Sequence, residues 1–262
     1  MAFCPQEDGN SPCARTWRTD SVSTVRVSLF IPCFVDQYFP QAGIGMVRVL
    51  ERLGHRVEYP EAQTCCGQPA FNSGYWDEAR GTAERMLDVF RDAEAVVSAS
   101  GSCGAMLKVF NPELFAEHPR AEEARALAAK VWEFSDFLVS KLGVEDVGAR
   151  YEGRATFHDG CHGLRELRIK DQPRRLLAHV RGLELVEMGE AETCCGFGGT
   201  FAVKFPHVSE AMGEVKCQSI TETGADLLIS NDSSCLMHLQ GIFRHQGRPL
   251  RALHLAEVLA QT

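Results

Sequence analysis

Eight of the eleven cysteines in the sequence form two sets with the same order along the chain. Each set consists of a single cysteine, a vicinal pair followed directly by glycine, and a second single cysteine. Corresponding cysteines are separated by 128 to 132 positions, which indicates an internal duplication. The first set is Cys33, Cys65, Cys66 and Cys103, and the second set is Cys161, Cys194, Cys195 and Cys235.

Four thiolates that converge from distant parts of a chain can hold a tetrahedral zinc ion or an iron–sulfur cluster. Structural zinc sites commonly use two closely spaced cysteine pairs, whereas each set here has one pair and two singles more than thirty residues away from it. A disulfide within each vicinal pair would leave the matching singles unexplained. The spacing therefore favours an iron–sulfur cluster in each half, with zinc in one of the sites as the alternative.

Several other residues near the cysteines are candidates for contact with the bound group. Met106 and His238 each follow the last cysteine of their set by three residues, so either is a candidate fifth ligand, although a methionine at helical spacing is more commonly core. His158 and His162 flank Cys161 and could hydrogen-bond sulfur or move protons, but ordinary loop histidines fit the same pattern. The glycines after the pairs, with Gly198 and Gly199, are expected to let the main chain approach an inorganic core.

The predicted secondary structure places the cysteines just after the carboxyl ends of strands. Strands and helices alternate in the same order in both halves, and parallel strands gather their loops at one edge of the sheet. The predicted strands are residues 25–31, 56–59, 95–99, 154–158, 183–188 and 226–230. The predicted helices are 43–53, 75–91, 173–180 and 208–222, with closing helices at 135–142 and 252–259.

This pattern predicts an α/β fold of two pseudo-symmetric lobes, each a small parallel sheet flanked by helices and derived from one duplicated unit. The lobes are predicted to span residues 25–150 and 151–262, after a flexible leader of residues 1–24. A linker at residues 143–153 is expected to separate them.

Composition narrows the functional classes. The formal charge of −8 and the absence of a dense Lys/Arg run argue against nucleic acid as a partner. With no apolar stretch long enough to span a membrane and no secretory signal at the polar amino terminus, we expect a cytoplasmic protein. In a reducing compartment, cysteines serve more often as metal ligands or redox groups than as disulfides. Of the remaining three, Cys4 and Cys13 are interpreted as solvent-facing thiols and Cys217 as a buried helical residue.

Four sequence strings extend the pattern to a known family: IPCFVDQYFP, FHDGCHGLRELRI, CCGFGGTFAVK and NDSSCLMHL. Over residues 25–260 the chain resembles the lactate utilization protein A family, whose CCG-type cysteine-rich repeat is shared with heterodisulfide reductase and with the glycolate oxidase iron–sulfur subunit. The resemblance implies an iron–sulfur protein, with the eight cysteines as ligands and up to one [4Fe–4S] cluster per lobe. It also implies work beside other iron–sulfur subunits in a multi-subunit system that oxidises L-lactate to pyruvate.

One departure from the related repeat affects the expected cofactor. The full repeat of the reductase family ends in CxxC and uses five cysteines for a noncubane [4Fe–4S] cluster, whereas this chain reads CGAM and CLMH. Each half therefore lacks the last cysteine, which leaves an ordinary four-thiolate cluster as the expectation.

The leading functional hypothesis is a non-catalytic electron-transfer component, because no hydrolase, kinase or nucleotide-binding motif is recognisable. The chain also lacks a ferredoxin cysteine run, so electrons must come from a partner. Two alternatives remain open. One is a heterodisulfide-reductase-like thiol/disulfide enzyme, and the other is a zinc-stapled scaffold protein.

Overall fold

The computed structural model describes residues 24–262 of the chain. Cys4, Cys13 and residues 1–23 of the predicted leader lie outside the described residues. Two four-stranded parallel sheets flanked by helices make up the fold, which confirms the predicted α/β class and its internal repeat.

The strands fall into two groups of four. They are β1 (Arg26–Phe30), β2 (Arg56–Glu58), β3 (Ala95–Ser98) and β4 (Val131–Glu133) in the first half, and β5 (Arg150–His158), β6 (Arg181–Leu185), β7 (Leu227–Ser230) and β8 (Arg251–His254) in the second half. The sheet orders, β2-β1-β3-β4 and β6-β5-β7-β8, correspond strand by strand. All neighbouring strands are parallel.

Helices cover both faces of each sheet. The first half contains α1 (Cys33–Tyr38), α2 (Pro40–Arg52), α3 (Gln68–Asn72), α4 (Trp76–Val89), α5 (Gly101–Ala105), α6 (Asn111–Leu114), α7 (Ala121–Ala128) and α8 (Phe134–Asp136), with π-helical turns at Met106–Phe110 and Phe137–Lys141. The second half contains α9 (Cys161–Arg165), α10 (Asp171–Ala178), α11 (Thr200–Lys204), α12 (Pro206–Glu222), α13 (Ser233–His245) and α14 (Leu255–Leu259).

The central strands are apolar because both of their faces are covered. Every residue of β3 and β7 is buried, as expected for parallel strands between two helical layers. Such strands lack the alternation of polar and apolar residues that marks a half-exposed strand, so their short apolar runs are the signal that predicts them.

Each sheet has a fourth strand that the sequence pattern does not predict. β4 has three residues and was not recognised, and the four residues of β8 overlap the start of the predicted closing helix 252–259, which begins only at Leu255. The predicted helical assignment of residues 252–254 was therefore wrong. A strand this short, directly followed by a helix, has too few residues to show a period of two.

The predicted linker at 143–153 is also too long. β5 begins at Arg150, and its pairing with β6 shifts register between Arg150 and Gly153. Gly153 adopts a φ of 148°, so the glycine marks an irregularity inside the strand and not a connection between lobes.

The closing helix of the second half packs against the first half. Helix α14 lies on α2, and Leu255 and Val258 share one hydrophobic core with Met46 and Leu50. The helices approach so closely at Gly45 that a Cβ atom there would lie 2.6 Å from the main-chain oxygen of Ala256. In the pseudo-symmetric position, the π-helical turn Phe137–Lys141 packs on α10. The two halves therefore share a core, which fixes their relative position.

Candidate metal centres

All eight cysteines of the two sets line one cleft between the halves, with a volume of about 880 Å³ that includes its open mouth. Cys33 and Cys161 begin α1 and α9 directly after the central strands β1 and β5. Cys103 and Cys235 lie in α5 and α13 after β3 and β7, and the vicinal pairs follow β2 and β6. The structure thus brings each predicted set together, and it also brings the two sets to the same cleft.

The sulfurs of the first set form a row of contacts in which Cys65 is central. The thiols of Cys33 and Cys66 hydrogen-bond the Cys65 sulfur, which lowers the pKa of Cys65 to about 2, and the N–H of Gly67 adds a donor at 3.5 Å. The same contact raises the pKa of Cys33. Cys66 also contacts Cys103, and these two thiol contacts together with burial raise its pKa. One thiolate is therefore stabilised within the row before any metal binds.

The second set repeats this arrangement. Hydrogen bonds from Cys161 and Cys195 lower the pKa of Cys194 to about 2, and the N–H of Gly196 lies 3.4 Å from its sulfur. Contact with Cys194 raises the pKa of Cys161. Contacts with Cys194 and Cys235, with burial, raise that of Cys195. The duplicated sequence therefore gives a duplicated donor geometry.

The glycine after each pair is required by main-chain geometry. Gly67 and Gly196 adopt φ values of 86° and 89°, which L side chains rarely adopt. A Cβ atom would lie 3.2 Å from the main-chain oxygen of Ala79 or 2.4 Å from that of Ser209. The close approach that these glycines permit is thus to α4 and α12, while their N–H groups face the cysteine sulfurs.

The donor chemistry fits an iron–sulfur cluster. In a tetrahedral zinc site with Zn–S bonds of about 2.3 Å, all four sulfurs lie roughly 3.8 Å from one another. Within residues 24–262, the one group of three or more metal-ligating side chains whose ligand atoms all lie within 4.8 Å of one another is His158, Cys195 and Cys235. Neither row of four sulfurs is that compact, which favours a larger inorganic core between them.

His158 and Lys216 distinguish the second set from the first. His158 is fully buried, neither ring nitrogen has a hydrogen-bond partner, and burial together with the nearby Lys216 charge lowers its pKa to about 3. Lys216 is also fully buried and donates hydrogen bonds to the carbonyls of Glu190 and, at 3.2 Å, Ala191, just before the Cys194–Cys195 pair. Burial lowers the pKa of Lys216.

The other predicted candidates lie around the cleft with different contacts. His162 Nδ1 lies 3.7 Å from the Cys161 sulfur, and its ring packs edge-on against Phe110 of the first half. His238 Nε2 lies 3.5 Å from the Ser209 hydroxyl. Met106 is fully buried in the apolar core of the first half.

Hydrogen bonds between the halves join the loops that carry the cysteines. Asp232 accepts hydrogen bonds from Ser100 and from the N–H of Ser102, which flank the start of α5. The ring of His254 donates to the carbonyl of Ala99 at 2.9 Å and accepts from the N–H of Ala256 at 3.1 Å. These contacts fix the two sites relative to each other.

Two residues of this region could not be identified from the sequence. Lys216 is a lysine on the buried side of α12, and only the packing shows that its charge lies near the second set. Asp232 stands before a helix, where an aspartate ordinarily caps its own helix, but its carboxylate makes no cap hydrogen bond to α13 and instead reaches α5 of the other half. Cys217 is buried as expected, and burial raises its pKa to about 12.

Comparisons with known proteins agree with the duplication and the fold. The sequence matches the cysteine-rich domain family CCG at residues 27–108 and 155–240, once in each half. It is 51% identical over 236 residues to lactate utilization protein A of Geobacillus kaustophilus and 46% identical over 236 residues to that of Bacillus subtilis. These alignments cover 90% of this chain and 98% and 99% of the relatives.

A solved structure of a hypothetical protein from Helicobacter pylori matches with a TM-score of 0.59 and 12% identity. The match covers 89% of this chain and 48% of that one, and at this identity it supports the fold alone. Within residues 24–262, no helix combines the length and apolar character needed to cross a membrane.

Proposed function

This chain belongs to the lactate utilization protein A family of CCG cysteine-rich domain proteins, and we propose that it is an iron–sulfur electron-transfer subunit of a system that oxidises L-lactate to pyruvate. The observation that carries the proposal is the pair of matching four-sulfur rows on one cleft. When bound, an iron–sulfur cluster takes up and releases single electrons.

The residues proposed as ligands are the four cysteines of each set. In each row, Cys65 or Cys194 supplies the most readily ionised sulfur, and the N–H of the following glycine donates to it. Such N–H donors stabilise thiolate charge. Because both rows line the same cleft, two clusters would lie close enough for electrons to pass between them.

We also propose that the protein acts in the cytoplasm, together with partner subunits. The nine cysteines among residues 24–262 are all free thiols, which is consistent with the reducing cytoplasm. The proposed partners are other iron–sulfur subunits of the lactate oxidation system, which would deliver and remove the electrons. The name of the relatives, lactate utilization protein A, supports this setting.

A heterodisulfide-reductase-like activity is a second candidate. Cys33 is exposed and lines a cleft that opens to solvent between the two sulfur rows, so a small disulfide could enter there. Turnover of small disulfides by the isolated, reduced protein would favour this function over electron transfer alone.

The test of the proposed function is metal analysis of the chain purified without oxygen. Two [4Fe–4S] clusters predict about eight irons and eight sulfides per chain and a broad visible absorption that bleaches on reduction. The Cys65→Ser and Cys194→Ser variants should each lose about half of the iron. A colourless protein with stoichiometric zinc would instead identify a zinc-stapled scaffold.

A further inference from the structure

The two halves differ at three corresponding positions beside the cysteine rows. Phe30 and His158 each precede the first cysteine of their set by three residues, and they pair with Ser98 and Ser230 at the ends of β3 and β7. The first half has apolar side chains and the second half has basic ones at all three places. The pairs are Phe30 and His158, Met86 and Lys216, and Met106 and His238. Met86 and Lys216 correspond because each lies seven residues after the residue, Ala79 or Ser209, whose main-chain oxygen faces the glycine of the vicinal pair.

The buried ring nitrogens of His158 require a polar or metal partner. Its side chain has no exposed surface and neither ring nitrogen is hydrogen-bonded, which is unfavourable for a buried polar group. In the first half, Phe30 occupies the place and packs edge-on against Phe90 without such a cost. The sulfurs of Cys195 and Cys235 are within 4.8 Å of the imidazole ligand atom. A metal group bound by these two cysteines would therefore also lie next to the imidazole and could be its missing partner.

We propose that His158 is an imidazole ligand of the metal group in the second site, in place of one of its four cysteines, which makes that site a mixed sulfur–nitrogen centre while the first site is bound by sulfur alone. This inference rests on the proposed function, because it requires a metal on the second cysteine set. If the second site holds zinc, metal–sulfur bonds of about 2.3 Å and metal–nitrogen bonds of about 2.0–2.1 Å place all three ligand atoms on one ion within the separation found for this trio. If it holds an iron–sulfur cluster, each of the three side chains would bind a different iron.

The charge around the second site follows the same asymmetry. A neutral imidazole in place of a thiolate leaves the ligand set with one negative charge fewer, and the ammonium group of Lys216 lies buried against the loop before Cys194. Both features favour the reduced, more negative form of a cluster. The second site is therefore expected to accept an electron before the first.

His238 is a less suitable ligand than His158. Its Nε2 atom is within 3.5 Å of the Ser209 hydroxyl, and its ring is tilted against Phe197. It therefore has partners outside the cysteine row, and it is not a member of the compact trio. Replacement of His238 by methionine, its counterpart in the first half, gives a matched control.

The test uses the full chain purified without oxygen, with ¹⁴N-histidine or ¹⁵N-histidine, and pulsed electron paramagnetic resonance of the reduced second site. We expect a hyperfine coupling typical of a directly bound histidine nitrogen, which changes with the isotope, disappears in His158→Phe and persists in His238→Met. If the second site holds zinc, X-ray absorption should show one nitrogen ligand in the wild type and its loss in His158→Phe.

The first site serves as an internal check on folding, because its signal should persist in any variant that folds. Phenylalanine is chosen at position 158 because the corresponding residue of the first half is Phe30. His158→Phe should retain the first-site signal, and the higher of the two reduction steps should move to lower potential. Metal-loaded wild type with only sulfur ligands at the second site would overturn this inference and leave the proposed function standing. A chain that binds no metal would overturn both.

Discussion

Asp232 in the second half accepts a hydrogen bond at 3.0 Å from the main-chain N–H of Ser102 in the first half. The same oxygen accepts a second one at 3.2 Å from the Ser100 hydroxyl. Ser102 directly precedes Cys103, and Asp232 begins the turn that carries Cys235. One carboxylate therefore accepts the hydrogen bond of a main-chain amide at the start of α5, where negative charge is favoured. The same carboxylate connects the loops that carry the two cysteine sets.

Asp232→Ala is expected to weaken both metal sites. It leaves the partly buried N–H of Ser102 without its acceptor, and the buried Ser100 hydroxyl keeps only the Ser102 hydroxyl to donate to, which together cost about 1–3 kcal/mol in unfolding free energy. Iron content should fall at both sites, measured by metal analysis beside urea unfolding. Asp146→Ala removes a comparable carboxylate–amide hydrogen bond, to Gly148 on an exposed loop, and should change neither quantity. Loss of iron from the second site alone would contradict the proposed link between the halves.

Cys195→Ser should abolish the second site and leave the first site filled. Its sulfur contacts both Cys194 and Cys235, so the substitution interrupts the row at its centre. The matched control is Cys217→Ala, which changes another buried thiol that lies outside the row and donates to the Leu239 carbonyl. Iron analysis and the spectrum of the remaining cluster report the result. Equal iron content in Cys195→Ser and wild type would remove Cys195 from the ligand set.

The repeated features of this protein could be predicted from its sequence. The cysteine spacing and the apolar runs of β1, β3, β5 and β7 depend on local residue order, and they led to the correct fold class and family. β4 and β8 escaped prediction because three or four residues next to a helix show no clear period.

The shared cleft could not be predicted in the same way. It depends on how α14 packs against α2 across Gly45, which is a contact between residues about 200 positions apart. The roles of Lys216 and Asp232 depend on this packing as well, because sequence alone shows neither the burial of the lysine nor the reach of the carboxylate into the other half. His158 was recognised as a candidate, but its two sulfur neighbours became visible only in the folded chain.

Ionisation of the buried Glu133 carboxyl should lower the free energy of unfolding as the pH rises from about 4.5 to about 7. Burial raises the pKa of its carboxyl to about 7, while its side chain accepts hydrogen bonds from the N–H groups of Ser135 and Asp136. Since the folded-state pKa lies above the unfolded value, the stabilisation from this group is complete below about pH 4.5 and is lost as the pH passes 7. The loss is on the order of 3 kcal/mol.

Urea unfolding of wild type and Glu133→Gln across pH 4.5–8 measures this contribution. The variant keeps a side-chain acceptor but does not ionise, so its unfolding free energy should decline less over the interval. Glu117→Gln, at an exposed position, should retain the wild-type pH dependence. Parallel curves for wild type and Glu133→Gln would show that the carboxyl ionises normally in the folded protein.

Lys216→Met should lower the reduction potential of the second site. Methionine is the residue at the corresponding position of the first half, Met86. The substitution removes a buried positive charge near Cys195 and Cys235. The expected change is on the order of tens of millivolts, measured by redox titration of each cluster signal. Lys108→Met is a matched control, since Lys108 donates to the Val131 carbonyl at 2.6 Å in the first half. An unchanged second-site potential in Lys216→Met would rule out the electrostatic role.

Gly45→Ala should destabilise the protein by separating the two halves. Its new Cβ atom would lie 2.6 Å from the main-chain oxygen of Ala256, and main chain cannot move aside as a flexible side chain can. Overpacking of this kind costs about 1–3 kcal/mol, and the cleft between the halves should bind its metals less tightly. Gly81→Ala provides the opposite control, because Gly81 lies exposed within α4 with no neighbouring atom within 4 Å, and alanine there should stabilise the helix by about 0.5–1 kcal/mol. Urea unfolding of both variants measures the two shifts, and a Gly45→Ala protein as stable as wild type would show that α14 does not hold the halves together.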